Sequence, residues 1–397
     1  MKERLEKILT QNIIPFWYPA TIDKERGGYH LNHDTYGNPR KDGEKMIVTQ
    51  ARMVWYFSNL YKTGWADKES LEAAEHGFKF LRDRMWDREN GGFFWQLSAE
   101  GKVVKPNKHM YGQAYGLYSL SEYAIASKSR EALDLARQMF ELMEKHAHDK
   151  KFGGYNEFFL PDWSPATRAE GEYLGHILKV KRMNTHLHLL EAFITYFEAS
   201  KDPLAKERLI ELIFVLSNSV VRFKVGACTE LYRPDWSPVH GPEHDRVSYG
   251  HNLENIWLLM EACKAVGIPN GLLMNYYKTL FDYSIRFGFD EQKGGVYDNG
   301  PINRPADHLN KTWWVQAEAL TSMFFMYLLT KEPVYLEYFE KELDWIEKHQ
   351  IDWQNGEWLN TILPDGTPTG NKADMWKSAY HNGRAMINVL AALNELK

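Results

Sequence analysis

Apolar residues recur at three- and four-residue spacing through most of this chain. The pattern predicts helices from Ala51 to Tyr61, Glu72 to Met85, Tyr111 to Ser127, Arg130 to Lys145, Leu187 to Ala199 and Leu204 to Val221. It predicts five more from Leu253 to Val266, Leu272 to Phe287, Trp314 to Thr330, Val334 to His349 and Arg384 to Leu396. Stretches of two-residue alternation are few and short, and they sit beside glycines.

Those glycines recur in a fixed phrase, a polar lead-in followed by glycine and then aromatic or β-type residues. It stands at Gly27-Gly28-Tyr29, Gly91-Gly92-Phe93, Gly153-Gly154-Tyr155 and Gly294-Gly295-Val296, with weaker copies at Gly226 and Gly356. Six copies at similar intervals mean six units, and internal periodicity constrains a fold more than composition does. Each unit reads as two helices joined by a glycine-aromatic hairpin. The prediction is an all-α fold: an (α/α)6 barrel of twelve helices in two concentric rings, with short hairpins at one end. An open solenoid would need polar capping units at its ends. Here the first and last units are as aromatic as the middle ones, which favours closure. No Pro-, Ser- or Gly-rich linker interrupts the rhythm, so residues 1–397 are expected to form a single domain.

Composition adds one positive signal. The chain has 14 Trp, 22 Tyr and 20 Phe, together 14% of its residues. Such rings fill a large core, and they also stack on the apolar faces of sugars. A net charge of -5 with mixed signs gives no basic block for nucleic acid and no polybasic tail for a membrane surface. No apolar run is long enough to span a bilayer, and the acid-containing amino terminus lacks the apolar core of a secretory signal. Two cysteines, Cys228 and Cys263, argue against a disulfide framework and fit a cytoplasmic location.

Four clusters place polar residues where a helix should be apolar. In Met183 to His188, Asn184 and His188 are four apart and share a helical face, whereas His186 points elsewhere. Capping by Asn184 or Thr185 is the competing reading. In Tyr249 to Glu254, His251 and Glu254 are three apart, so the carboxylate can orient the imidazole and raise its basicity, as a general base requires; a plain capping pair is the alternative. In Trp376 to Arg384, His381 sits at a helix entrance with Trp376 one loop away. In Thr49 to Trp55, Arg52 interrupts an apolar stripe, and a buried arginine without an anionic partner is costly; a snorkelling surface arginine is the bland reading.

His-x-His and His-x-x-Glu could contribute metal ligands, but neither the i, i+4 histidine pair nor the Cys/His groupings of zinc sites occur, so no metal is expected. No dinucleotide or phosphate loop and no serine-hydrolase elbow is present.

Taken together and in this order, the clusters resemble those of the N-acylglucosamine 2-epimerase and cellobiose 2-epimerase superfamily, from about Ile14-Pro15-Phe16-Trp17 to Arg384. The resemblance implies an (α/α)6 barrel, in agreement with the glycine spacing. It implies that His251 and His381 exchange a sugar's C2 proton from opposite faces, with Glu254 supporting His251 and His188 assisting ring opening. It places Arg52 near the C1 and C2 oxygens and Tyr111 and Asn184 among substrate contacts. Trp313 or Trp314, together with Trp376, match aromatic platforms for the sugar. Members of the cellobiose branch usually carry Asp where this chain has Asn252, and the stretch from Cys228 to Arg246, with His240 and His244, is longer here. Free glucose and mannose therefore stand beside cellobiose as expected substrates. The Met183 to His188 run argues against an acetamido sugar.

The implied reaction opens the sugar, removes the C2 proton to give a cis-enediolate held by Arg52, and returns a proton to the other face. No cofactor is needed, because C2 is never oxidised. The partner is a small-molecule sugar, and a monomer or weak homodimer is expected. A mannose–fructose type aldose–ketose isomerase is the nearest rival. A glycoside hydrolase using Glu230, Glu254 or Glu318 is more remote, as is a non-catalytic binding protein.

Overall fold

Two kinds of helix alternate along the chain, and burial separates them. Our computed structural model describes residues 1–40, 42–167, 173–174, 177–222 and 224–395. In α2 (Ile47–Thr63) every residue from Ile47 to Leu60 is buried. The same all-round burial marks α4 (Met110–Ser127), α6 (Met183–Ser200), α8 (Tyr249–Val266), α10 (Trp313–Thr330) and α12 (Tyr380–Glu395). The helices between them bury one stripe. In α5 (Arg130–His146) that stripe is Ala132, Leu135, Ala136, Met139, Phe140 and Met143. A helix packed on all sides belongs inside, and an amphipathic one belongs on the outer surface. The outer set is completed by α1 (2–17), α3 (68–85), α7 (203–219), α9 (270–288) and α11 (333–350).

The result is the double ring of an (α/α)6 barrel. The inner ring closes because α12 packs against both α10 and α2. Among the described residues, eleven of the twelve helices are those the periodicity predicts; Leu396, at the predicted end of the last, lies outside the described residues. The twelfth, α1, buries Leu5, Ile8, Leu9, Ile13 and Trp17 at helical spacing and packs against α12. The sequence pattern held this signal, but the predicted helices omitted it.

Short strands precede the inner helices and link neighbouring units. Lys45–Met46 pairs antiparallel with Gln96–Leu97, Lys108–His109 with Phe158–Phe159, and Lys181–Arg182 with Leu231–Tyr232. Arg246–Ser248 pairs with Asn299–Pro301 and Lys311–Thr312 with Thr361–Ile362. A bridge between His33 and Ala373 joins the last unit to the first.

The glycine pairs turn the chain between outer helix and hairpin. Gly91 and Gly92 have φ of 71° and 75°, a left-handed conformation that disfavours side chains. An aromatic ring also lies on the second glycine: Phe80 on Gly28, Trp163 on Gly92, Trp236 on Gly154 and Trp345 on Gly295. Five turns are closed by a lysine–aspartate pair, Lys45–Asp23, Lys108–Asp87, Lys181–Asp149, Lys311–Asp290 and Lys372–Asp352, at 2.6–2.9 Å. The weak copy at Gly226 has instead Arg222 near Asp245 at 3.3 Å.

A second device ties each hairpin to its inner helix. Gln50, Gln113 and Gln316 each accept the N–H, and donate to the carbonyl, of the residue after the glycine pair. In the third unit His186 Nε2 takes that N–H from Tyr155 at 3.0 Å, and in the fourth Asn252 takes it from Cys228 at 3.1 Å. His186 thus points to the hairpin, off the face that carries His188, as expected. Asn252 is wholly buried and makes the accepting half of the same clasp, so its side chain is committed to the hairpin. Among the described residues no helix is long and apolar enough to cross a membrane.

Candidate active site

Six-fold equivalence carries through to the first turns of the inner helices. The sixth residues of α2, α4, α6, α8 and α10, and the fifth of α12, are Arg52, Tyr115, His188, Glu254, Glu318 and Arg384. All six are buried, and they form a bonded floor inside the ring. Arg52 Nη2 donates to the Tyr115 hydroxyl at 2.6 Å, and that hydroxyl meets His188 Nδ1 at 3.0 Å. Arg384 Nη2 donates to Glu254 at 2.8 Å and to Glu318 at 2.7 Å. Its Nη1 bonds Glu191 and the Tyr380 hydroxyl. Glu191 in turn accepts from Tyr380 and meets His188 Nδ1 at 3.2 Å.

His251 and His381 stand above this floor, both packed against one indole. The Trp314 ring is 4.7 Å from the His251 ring and 5.8 Å from the His381 ring, centroid to centroid. His381 Nδ1 is bonded to Glu318 at 2.6 Å, and His251 Nδ1 is bonded to Glu230. Among the described residues, Nε2 of neither ring has a hydrogen-bond partner, so both present that atom for a ligand. Burial falls towards the outer margin: the side chains of His381, His251 and Glu230 are 8%, 16% and 34% exposed.

One expectation is corrected here. Glu254 does not touch His251. Its Oε1 is taken by Arg384, and its Oε2 is buried without a partner. The two residues are neighbours in sequence, but the imidazole turns outward to the hairpin residue Glu230 while the carboxylate turns down to the floor. Spacing along a helix sets the direction of a side chain but not which residue meets its tip.

The remaining candidates divide. Arg52 is buried and donates to the Trp376 carbonyl (2.7 Å) and to the hydroxyls of Tyr111 (3.2 Å) and Tyr115. Among the described residues it has no carboxylate partner, so its charge is not neutralised. Tyr111 lies edge-on to His188, 5.2 Å away. Asn184 is half-buried, with Oδ1 unpartnered, and its backbone N–H favours the ionised form of Glu230. Trp376 is 40% exposed at the rim. Trp314 lies against both histidines, whereas Trp313 is buried beside His381 with Lys377 over its ring. Glu230 and Glu318, which hold the two histidines, stood in the sequence only as acids for the rival hydrolase reading. Glu318 shares a six-fold position with Arg52 and Glu254, a signal the repeat could have supplied.

Electrostatics set the two histidines apart. Burial works against a charge on His251, but Glu230, with Glu254 and Asp298 adding to it, takes its pKa up to about 9. Burial and the guanidinium groups of Arg52 and Arg384 hold His381 well below the usual histidine range. Burial takes His188 down to about 4. Burial and the nearby Glu318 push Glu254 up to about 8, against the pull of Arg384. Glu254, Glu318 and His381 bring ligand-type atoms within 4.8 Å of one another. Arg384 already bonds both carboxylates, so a cation is built into that cluster.

Known proteins share this arrangement of helices. The sequence model of the N-acylglucosamine 2-epimerase family matches residues 27–385. A cellobiose 2-epimerase of Dictyoglomus turgidum is 30% identical over 397 residues, 98% of each chain. The solved structure of the cellobiose 2-epimerase of Spirochaeta thermophila superimposes with a TM-score of 0.90 at 31% identity, covering 100% of this chain and 97% of the other. A D-mannose isomerase structure superimposes with a TM-score of 0.85 at 25% identity, covering 99% and 98%.

Proposed function

Since this chain belongs to the N-acylglucosamine 2-epimerase family, we propose that it inverts C2 at the reducing-end glucose or mannose unit of a sugar, with His251 and His381 as its acid–base pair. The protein is an enzyme of the sugar epimerase and isomerase class. The observation that carries the proposal is the pair of imidazoles packed against one indole, Trp314, each held at Nδ1 by its own carboxylate and free at Nε2. Inversion needs a proton acceptor on one face of C2 and a donor on the other, and only a two-base site supplies both within one turnover.

In this reading the sugar lies against Trp314, with Trp376 at the rim. His188, tied to Tyr115 and Glu191, assists opening of the hemiacetal to the aldehyde. One imidazole then removes the C2 proton, which the adjacent carbonyl has acidified. The negative charge of the cis-enediolate develops beside Arg52. A buried guanidinium without a carboxylate partner supports that role, because an anion formed there meets a fixed charge in a low dielectric. The second imidazole protonates the opposite face. Asn184 and Tyr111 complete the contacts to the sugar.

A cellobiose-type disaccharide is the first substrate to test, because relatives of that name match nearly end to end. A mannose–fructose isomerase is the second reading, favoured by the D-mannose isomerase structure. It shares the enediolate and differs in returning the proton to C1. The hydrolase reading loses support, because Glu230, Glu254 and Glu318 are bonded to His251, Arg384 and His381. Proton NMR in D₂O with cellobiose, lactose, glucose, mannose and N-acetylglucosamine decides among these. Deuterium at C2 of an epimer is the expected result. A ketose product would favour the isomerase, and no exchange with any sugar would end the proposal.

A further inference from the structure

Glu230 reaches His251 from outside the helix that carries the histidine. It stands between strands Ala227–Cys228 and Leu231–Tyr232 and is anchored at several points. Its carbonyl accepts the Met183 N–H at 2.9 Å. Its carboxylate binds His251 Nδ1, and the nearby backbone N–H of Asn184 favours its ionised form. The start of α6 therefore anchors the residue that meets the imidazole. We infer that Glu230, not Glu254, is the positioning residue of His251, holding Nδ1 away from the substrate so that Nε2 faces it.

The surroundings of His251 support this choice. From the preceding hairpin it faces Glu230, from its own helix Glu254, and from the following hairpin Asp298. On α10 the uncharged Trp314 ring lies against it. On α12 Arg384 is bonded to Glu254 and so cancels part of that carboxylate's influence. Burial raises Asp298 and takes Glu254 up to about 8, which weakens both as fixed negative charges. Burial works against the charge on Glu230 as well, but His251 and Arg182 outweigh it and keep the group ionised. Glu230 is thus the one of the three carboxylates that both touches the ring and stays charged.

The inference rests on the epimerase reading only for its kinetic arm. The test uses full-length protein, wild type and Glu230→Gln. The ring resonances of His251 are followed by NMR across pH without substrate, with His251→Gln for assignment. In wild type the ring should stay protonated up to about pH 9. In Glu230→Gln the midpoint should fall by more than one pH unit. The alkaline limb of kcat/KM should move with it, while KM changes less than threefold. Glu230→Asp, which keeps the charge on a shorter arm, should restore part of the shift, and it carries the titration test alone if the Gln variant does not fold. An unmoved midpoint in Glu230→Gln, or an equal shift produced by Glu254→Gln, would overturn the inference. Wild-type protein that turns over no sugar would refute the epimerase reading, and the substrate-free titration would still judge Glu230.

Discussion

The indole of Trp314 lies so close over Gly250 that a Cβ added to that glycine would come within 2.5 Å of the ring. Gly250 precedes His251, and Trp314 packs against both His251 and His381, so one missing side chain lets the platform settle against the two bases. Gly250→Ala should displace the indole and lower kcat/KM for the preferred sugar by at least ~10-fold. The helix should form normally, with a stability cost of about 1–3 kcal/mol from overpacking. Steady-state kinetics and a chemical denaturation curve test both parts; unchanged kinetics would show that the platform does not depend on this contact.

His251→Ala and His381→Ala should each reduce epimerisation by at least ~10²-fold, the usual scale of a lost proton-transfer group. Far-UV circular dichroism should be unchanged. Near-normal turnover by either variant would remove that residue from its proposed role.

Arg384→Met should be among the most destabilising single changes. Its guanidinium bonds Glu191, Glu254 and Glu318, all buried. Removing it leaves three carboxylates facing one another in a low dielectric, at a cost of about 3–5 kcal/mol. Urea unfolding measures the loss, and a change below 1 kcal/mol would contradict the network described above.

Acid should destabilise the fold through buried neutral histidines. Burial takes His186 down to about 3, and His33 and His188 down to about 4. Unfolded, each titrates near ~6.5. Between those values the unfolded chain binds more protons, so the stability they contribute is complete above about pH 6.5 and is lost as pH falls towards 3–4. Because Gln50, Gln113 and Gln316 occupy the position of His186 in other units, His186→Gln should keep activity and move the acid-unfolding midpoint to lower pH. A midpoint that stays in place would assign the acid lability elsewhere.

Much of this architecture could be read from the chain. Helical periodicity is a local property, and the glycine phrase marks turns whose left-handed backbone depends on one or two residues, so helix count and six-fold order followed directly. Polar interruptions of apolar stripes pointed to Arg52, His188, His251 and His381, because a buried charge or imidazole is costly unless it is used. The partners of those residues were a different matter. His251 and Glu230 are twenty-one positions apart, and His381 and Glu318 sixty-three.

Pattern and spacing along the chain were thus enough to locate eleven of the twelve helices, to predict their closure into a ring, and to single out polar groups that enter it. Which carboxylate meets which imidazole was decided only when neighbouring units brought the hairpin residue Glu230 to His251 and the helix residue Glu318 to His381. A period of 3.6 residues sets the direction of a side chain within its own helix, but it carries no information about what another helix or loop brings to meet it.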